Sequence, residues 1–352
     1  MRKFLFFAAF AAAMFTGCSK DNEIESANNN GLNEIGFRAY TSKGETKAGA
    51  TTTANFSNFK VYGNWNDGTY KNYIEGQIVE NDGTDWTYSP KRFWPISGNV
   101  DFYAYSPATS LNVAFTNVLT APTFVYTVPA IFNRQEDLLI SQVKSQTATT
   151  SSGSVTLPFD HALSQFVFEA RGVTEGLVYT VEKIELVQVN STAKFDYAAA
   201  APGWGSYATP TTYTVLDGTP VHIAYHATNY TTITSDAANT AAMVIPGAWD
   251  NGTDPVDNKP VKVIPTAGTA GGDWGYIAIT FSMTDVSGIN YNDGNVWYVP
   301  IMVSPALNRR YTYQFEFGTI GSSVGDLVEL KFNATVTAIT GETITPVPVP
   351  AP

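Results

Sequence analysis

Short runs that alternate apolar and polar residues, each cut off by Asn, Asp, Gly or Pro, recur through the chain from Ile35 onward. Ile35-Gly-Phe37-Arg-Ala39-Tyr40 alternates with period two, and Val100–Tyr105 runs up to Ser106-Pro107. Thr123–Val128 stops at Pro129, while Asn64–Gly68 and Asn81-Asp-Gly83 read as turns. Period two places successive side chains on opposite faces of a strand, so each run is a strand with one face for a core. Many such runs at this spacing predict a sandwich or barrel. Composition points the same way. Charged residues make up only 14% of the chain and aromatics 13%. Polar coverage by Thr and Asn in place of Lys and Glu disfavours helix and favours strands and turns.

The second half repeats the style. Runs at 165–170, 178–189, 220–225, 243–245, 261–264, 276–283, 296–303, 311–317 and 327–338 are expected strands. Residues 133–141 read either as one short helix or, from Asp137-Leu-Leu-Ile140, as the start of a strand. The stretch 145–154 holds no large apolar side chain and is the expected linker or long loop. The expected division is therefore a first domain at 34–152, a second at 153–340, and a Pro-rich extended tail at 341–352, where Pro346, Pro348 and Pro350 alternate with valine.

The N-terminus carries an address. Arg2 and Lys3 precede an apolar run from Phe4 to Phe15, then Thr16, Gly17 and Cys18, the sole cysteine of the 352 residues. Twelve apolar residues are too few to cross a bilayer core of ~30 Å. Charged head, short apolar run and small-residue cleavage site make a signal peptide over 1–17. A cysteine directly after it fits a bacterial lipoprotein signal, with cleavage between Gly17 and Cys18 and a lipid on the Cys18 thiol. Residues 18–33 form a polar tether that cannot bury enough apolar surface to order itself. Removing residues 1–17 takes the net charge from −11 to −13. So acidic a chain argues against a nucleic-acid partner, and membrane attachment would come from the lipid. With Cys18 acylated, no thiol remains for a disulfide, a metal or catalysis.

No constellation points to an enzyme or a cofactor. Gly321-Ser-Ser-Val-Gly325 matches G-x-S-x-G, but Asp326–Phe332 directly after it reads as a strand where a nucleophile elbow needs a helix. His222 and His226 lie four apart. On a strand that separates them by ~13 Å, too far to share a metal. His161 is expected to be a hydrogen-bonded structural residue. The Asn/Asp/Gly loops at 64–68, 250–258 and 290–295 lack calcium-loop spacing, and turn chemistry accounts for them.

Two stretches, Phe93–Pro107 and Val155–Phe168, together with Phe59-Lys-Val-Tyr62, Arg310–Phe315 and the lipoprotein start, resemble the fimbrillin family of Bacteroidota, the subunits of type V pili and related surface lipoproteins. The resemblance implies two transthyretin-like Greek-key β-sandwich domains in tandem. It also implies a non-enzymatic subunit at the cell outer membrane or in a fimbrium, whose partners are other fimbrillin subunits and a host or bacterial surface receptor. Assembly would follow proteolytic release of a first strand, here Ile35, Phe37 and Ala39 facing inward, by a cut between Lys47 and Ala48. A neighbour's donor strand would fill the groove, with Leu330, Phe332, Ala334, Val336 and Ala338 on one face. Two other readings stand beside this. The terminal strand closes its own domain and the tail at 343–350 is donated, or the protein is a non-polymerising lipoprotein that binds a glycan or host ligand.

Overall fold

The structure, a computed structural model, describes residues 33–41, 51, 55–198, 202–208, 210–226, 228–233, 241–247, 259–267, 269, 274–320 and 327–338. Among these residues, twenty-one strands and one three-residue 3-10 turn make up the regular structure. The protein is all-β, with several sheets forming two sandwich-like domains.

A seven-stranded sheet runs in the order β1 (Gly36–Thr41), β9 (Ser154–His161), β8 (Leu139–Gln146), β5 (Asn99–Ser106), β2 (Asn58–Asn66), β3 (Tyr70–Asn81) and β4 (Trp86–Thr87). Its ladders are antiparallel except β1 with β9. The two ends of the sheet approach one another. The Ile35 N–H donates to the Arg92 carbonyl at 2.8 Å, and the Trp94 N–H to the Asn33 carbonyl at 2.9 Å. The sheet thus curls around a core built on Phe37, Phe59, Phe102, Leu157 and Phe159. β5 is buried on both faces: Phe102 and Ala104 enter this core, and Tyr103 enters another behind it. That is why Val100–Tyr105 is an apolar run broken by a single polar residue.

The second face is covered by a four-stranded sheet, β13 (Gly203–Gly205), β12 (Thr192–Asp196), β7 (Thr123–Thr127) and β6 (Val113–Thr116). It mixes strands from both halves of the sequence. Phe124 of β7 stacks on Phe195 of β12 at 5.1 Å, and the Tyr197 hydroxyl donates to the Ala104 carbonyl at 2.9 Å.

Two five-stranded sheets enclose the other large core. One is β16 (Thr231–Ile233), β10 (Ser164–Gly172), β20 (Arg309–Ile320) and β21 (Leu327–Ala338), with β17 (Ala242–Val244) also on β10. The other is β14 (Thr211–Leu216), β11 (Leu177–Val189), β18 (Tyr276–Asp285) and β19 (Asn290–Pro300), with β15 (Val221–Ile223) on β11. Phe168, Tyr179, Ile279, Phe281 and Phe315 fill the space between them.

Several expectations are revised. Residues 147–153, inside the stretch expected as a linker, form a hydroxyl-rich connection within the first sheet. The Thr147 N–H donates to Thr150 Oγ1 at 2.8 Å, and the Gly153 N–H to the Ala148 carbonyl at 3.1 Å. Ser154–His161, which the sequence pattern assigns to the second domain, is β9 of that first sheet. The passage to the second core runs through Ala162 and Leu163, both fully buried. At 133–141 the chain makes a short 3-10 turn, Phe132–Arg134, before β8 begins. Val261–Ile264 reduces to one bridge, Val261 with Tyr298, and residues 290–295 belong to β19.

Candidate strand-exchange site

β1 lies at the end of the seven-stranded sheet and pairs along one edge, with β9. The parallel register runs from Gly36 opposite Ser154 to Thr41 opposite Phe159. Ile35, Phe37 and Thr41 are buried and Ala39 is half-buried, while Arg38 and Tyr40 face outward. Alternation has done here what period two predicts.

Phe37 is the centre of the contact. Its ring meets Phe59 at 5.9 Å, Tyr88 at 5.4 Å and Phe102 at 5.8 Å, all edge-on or nearly so. Burying a phenylalanine in this way stabilises by about 2–3 kcal/mol. Tyr88 adds a polar anchor. Its hydroxyl donates to the Ile35 carbonyl at 2.7 Å and accepts from the Arg92 N–H at 3.1 Å. Burial pushes this phenol up to about 12, against the opposing pull of its bond to the Arg92 backbone. The Lys91–Glu34 ion pair at 2.6 Å is well exposed and adds little.

Withdrawal of β1 would leave the β9 main chain unpaired along that edge. It would also open a groove floored by Phe59, Tyr88 and Phe102. An unpaired edge over apolar pockets is what a foreign strand needs: the ladder supplies affinity and the pockets supply register.

β21 is the other relevant strand. It pairs with β20 over its whole length, from Leu327 opposite Ile320 to Ala338 opposite Arg309. Leu330, Ala334 and Val336 are buried in the second core, and Phe332 packs against it half-buried. The structure therefore places this strand in its own domain, at the end of its sheet.

Downstream of β1, the Thr51 N–H donates to the Asp137 carboxylate at 2.7 Å. That carboxylate also holds His161 Nδ1 at 2.9 Å, and both side chains are buried. His161, the last residue of β9, is thus a hydrogen-bonded residue tied to Asp137 just before β8. Nothing in the sequence marks Asp137 as its partner, or Thr51 as the partner of Asp137. Nor does it mark Tyr88, whose one signal is alternation with Trp86. The signal peptide, Cys18, Lys47, Ala48, the 341–352 tail and Gly321–Gly325 lie outside the described residues.

The remaining histidines are not brought together. His222 bonds Thr180 Oγ1 at 3.1 Å across a strand pair, while His226 accepts from the turn N–H groups of Thr228 and Asn229. Among the described residues no group of His, Cys, Asp or Glu is arranged to hold a metal.

A family model described as fimbrillin-like matches residues 38–338. The chain belongs to the fimbrillin-like family. It is thereby a member of a structural, non-enzymatic family of fimbrial and cell-adhesion proteins of the cell surface. Among solved structures, this fimbrillin-like chain is similar to a fimbrial protein of Bacteroides vulgatus, with 17% identity and a TM-score of 0.60. The match covers 85% of this chain and 98% of that one, and it establishes the shared fold. It also matches a candidate cell adhesion protein of Bacteroides uniformis at 14% identity and TM-score 0.49, over 88% of this chain and 100% of that one. A third match is the tip fimbrial protein Mfa3 of Porphyromonas gingivalis, at 12% identity and TM-score 0.38, over 86% and 98% of the two chains. Among curated proteins there is no match.

Proposed function

We propose that this protein is a fimbrial subunit, exported as a lipoprotein through Cys18, that assembles with other subunits by strand exchange at the β1 site. A protease cut between Lys47 and Ala48 separates β1 from the body of the chain. β1 then leaves with the lipid, and the terminal strand of a neighbour takes its place on β9. The observation that carries this reading is the position of β1. It is an end strand with one ladder, yet its inward residues complete a core that cannot stay open in water.

The physics favours replacement over loss. An emptied groove exposes the Phe59–Tyr88–Phe102 pocket and a row of unpaired backbone groups, each costly when left unsatisfied. A new strand restores both. The experiment treats delipidated protein with a trypsin-like protease and looks for an SDS-resistant ladder. Cleavage near Lys47 that yields a ladder supports the reading. Cleavage there that yields monomer alone rejects it.

A further inference from the structure

The turn between β2 and β3 and the loop that leads into β5 enclose an open cleft of about 340 Å³, lined by Asn66, Asp67, Gly68, Ser97, Gly98 and Asn99. Every lining residue is polar or glycine. The two walls are held together from below. Asn66 and Asn99 face each other in the β2–β5 ladder, and the Trp65 indole N–H donates to the Ser97 carbonyl at 2.8 Å. Gly98 sits at φ +76°, and a Cβ there would run into the Asn66 carbonyl, so glycine alone lets the loop lie this close. The cleft is thereby built before any ligand arrives, which spares much of the ordering cost of binding.

Two of its side chains serve the fold. Asn66 Oδ1 accepts from the Gly68 N–H at 3.0 Å. Asp67 accepts from Lys71 Nζ at 2.9 Å, and that bond holds its carboxyl below the usual carboxylate range. Ser97 and Asn99 differ. Among the described residues neither side chain has a hydrogen-bond partner. The cleft thus presents one ionised acceptor, one hydroxyl, and one carboxamide that both donates and accepts. No ring lies open as a stacking platform, because Lys71 Nζ stands over Trp65 at 4.4 Å from the ring centroid. An apolar ligand finds nothing to bury against. An anion meets the Asp67 carboxylate on a chain of net charge −11. What fits is small and neutral, with neighbouring groups that each donate and accept.

We propose that this cleft binds a neutral saccharide through two adjacent hydroxyls. One hydroxyl donates to the Asp67 carboxylate and accepts from the Asn99 NH2 group. Its neighbour donates to the Asn99 side-chain carbonyl and accepts from Ser97 Oγ. A volume at the lower end of small-molecule sites suits one or two sugar rings. None of the lining residues belongs to β1, β9 or the Phe59–Tyr88–Phe102 pocket, so the site is separate from strand exchange.

The test uses uncut, delipidated full-length protein and, as probes, the methyl glycosides of mannose, galactose, fucose and N-acetylglucosamine. Saturation-transfer NMR reads binding, and the Trp65 indole N–H signal, assigned with Trp65→Phe, reports its place. At least one probe should bind with a dissociation constant of about 1 mM, the strength expected of a few hydrogen bonds made in competition with water. The same probe should shift the Trp65 signal. Ser97→Ala and Asn99→Asp should each weaken binding roughly tenfold while thermal unfolding stays unchanged. Asn99→Asp keeps the size and shape of the side chain and removes the NH2 donor. Binding that ignores both substitutions, or that leaves the Trp65 signal unmoved, overturns the assignment, as does a failure of every probe to bind. Tighter binding by a sialic acid glycoside overturns the neutral class. The protein is left uncut, so this result and that of the ladder experiment are independent.

Discussion

Tyr88 ties a polar group to an apolar strand at the point where β1 meets the rest of its domain. Its hydroxyl is the partner of a buried main-chain carbonyl, that of Ile35. Tyr88→Phe keeps the ring against Phe37 but leaves that carbonyl unsatisfied, at a cost of about 1–2 kcal/mol. Urea unfolding at neutral pH measures the loss directly. The pH dependence checks the cause. The folded pKa of about 12 lies above that of a free phenol, which is near 10. The stability it contributes is therefore full below pH ~10 and is lost as pH rises through about 12. The gap between wild type and Tyr88→Phe should hold constant up to about pH 9 and narrow above it. A gap independent of pH would mean that packing, and not the hydroxyl, explains the cost.

At the scale of the element, β1 contributes one ladder and a few inward side chains, with Phe37 dominant among them. Phe37→Ala should cost about 3–5 kcal/mol, because Phe59 and Phe102 are held by β2 and β5 and Tyr88 by its hydroxyl bonds, so the rings cannot close the space. The same change should make trypsin-cut protein release the β1 fragment faster, as read by mass spectrometry of the supernatant. If release is unchanged, the ladder to β9 and not the pocket holds the strand. Elements with a period of their own are legible in the amino-acid order alone. β21 spans the expected Leu327–Ala338, and β5 and β18 lie close to their expected positions. Others have no period to read. β13 and β16 are three residues each, and they exist because β12 and β10 offer an edge. β12 pairs with β7 across more than sixty residues of sequence, a distance over which no local pattern speaks. The site is legible in the same uneven way. The alternation of Ile35, Phe37 and Ala39 can be read directly. Tyr88 and the Thr51–Asp137–His161 chain of hydrogen bonds cannot, since each joins residues that only the folded sheet brings together.

For the whole molecule, the decisive feature is the core between the two domains. Tyr103, Leu138 and Ile140 of the first sheet and its approach share it with Phe195, Tyr197 and Met243 from the second half of the chain. The Trp204 indole N–H reaches the Ala162 carbonyl at 2.7 Å, and the Met243 N–H donates to Gln135 at 2.8 Å. Neither domain can withdraw without exposing this surface, so the two should open together. Native-state hydrogen exchange should give the most protected amides of β5 and β18 the same opening free energy. A difference beyond about 2 kcal/mol would show two independent folding units, since separate domains open at separate costs. Such coupling suits a subunit that bears tension along a fibre. Pull applied to a strand seated at β9 passes through Ala162 and Leu163 and the shared core into β10, and from there through β20 to β21. A hinge at the domain junction would yield first under that load. A buried junction makes the whole unfolding barrier of the molecule available to resist it.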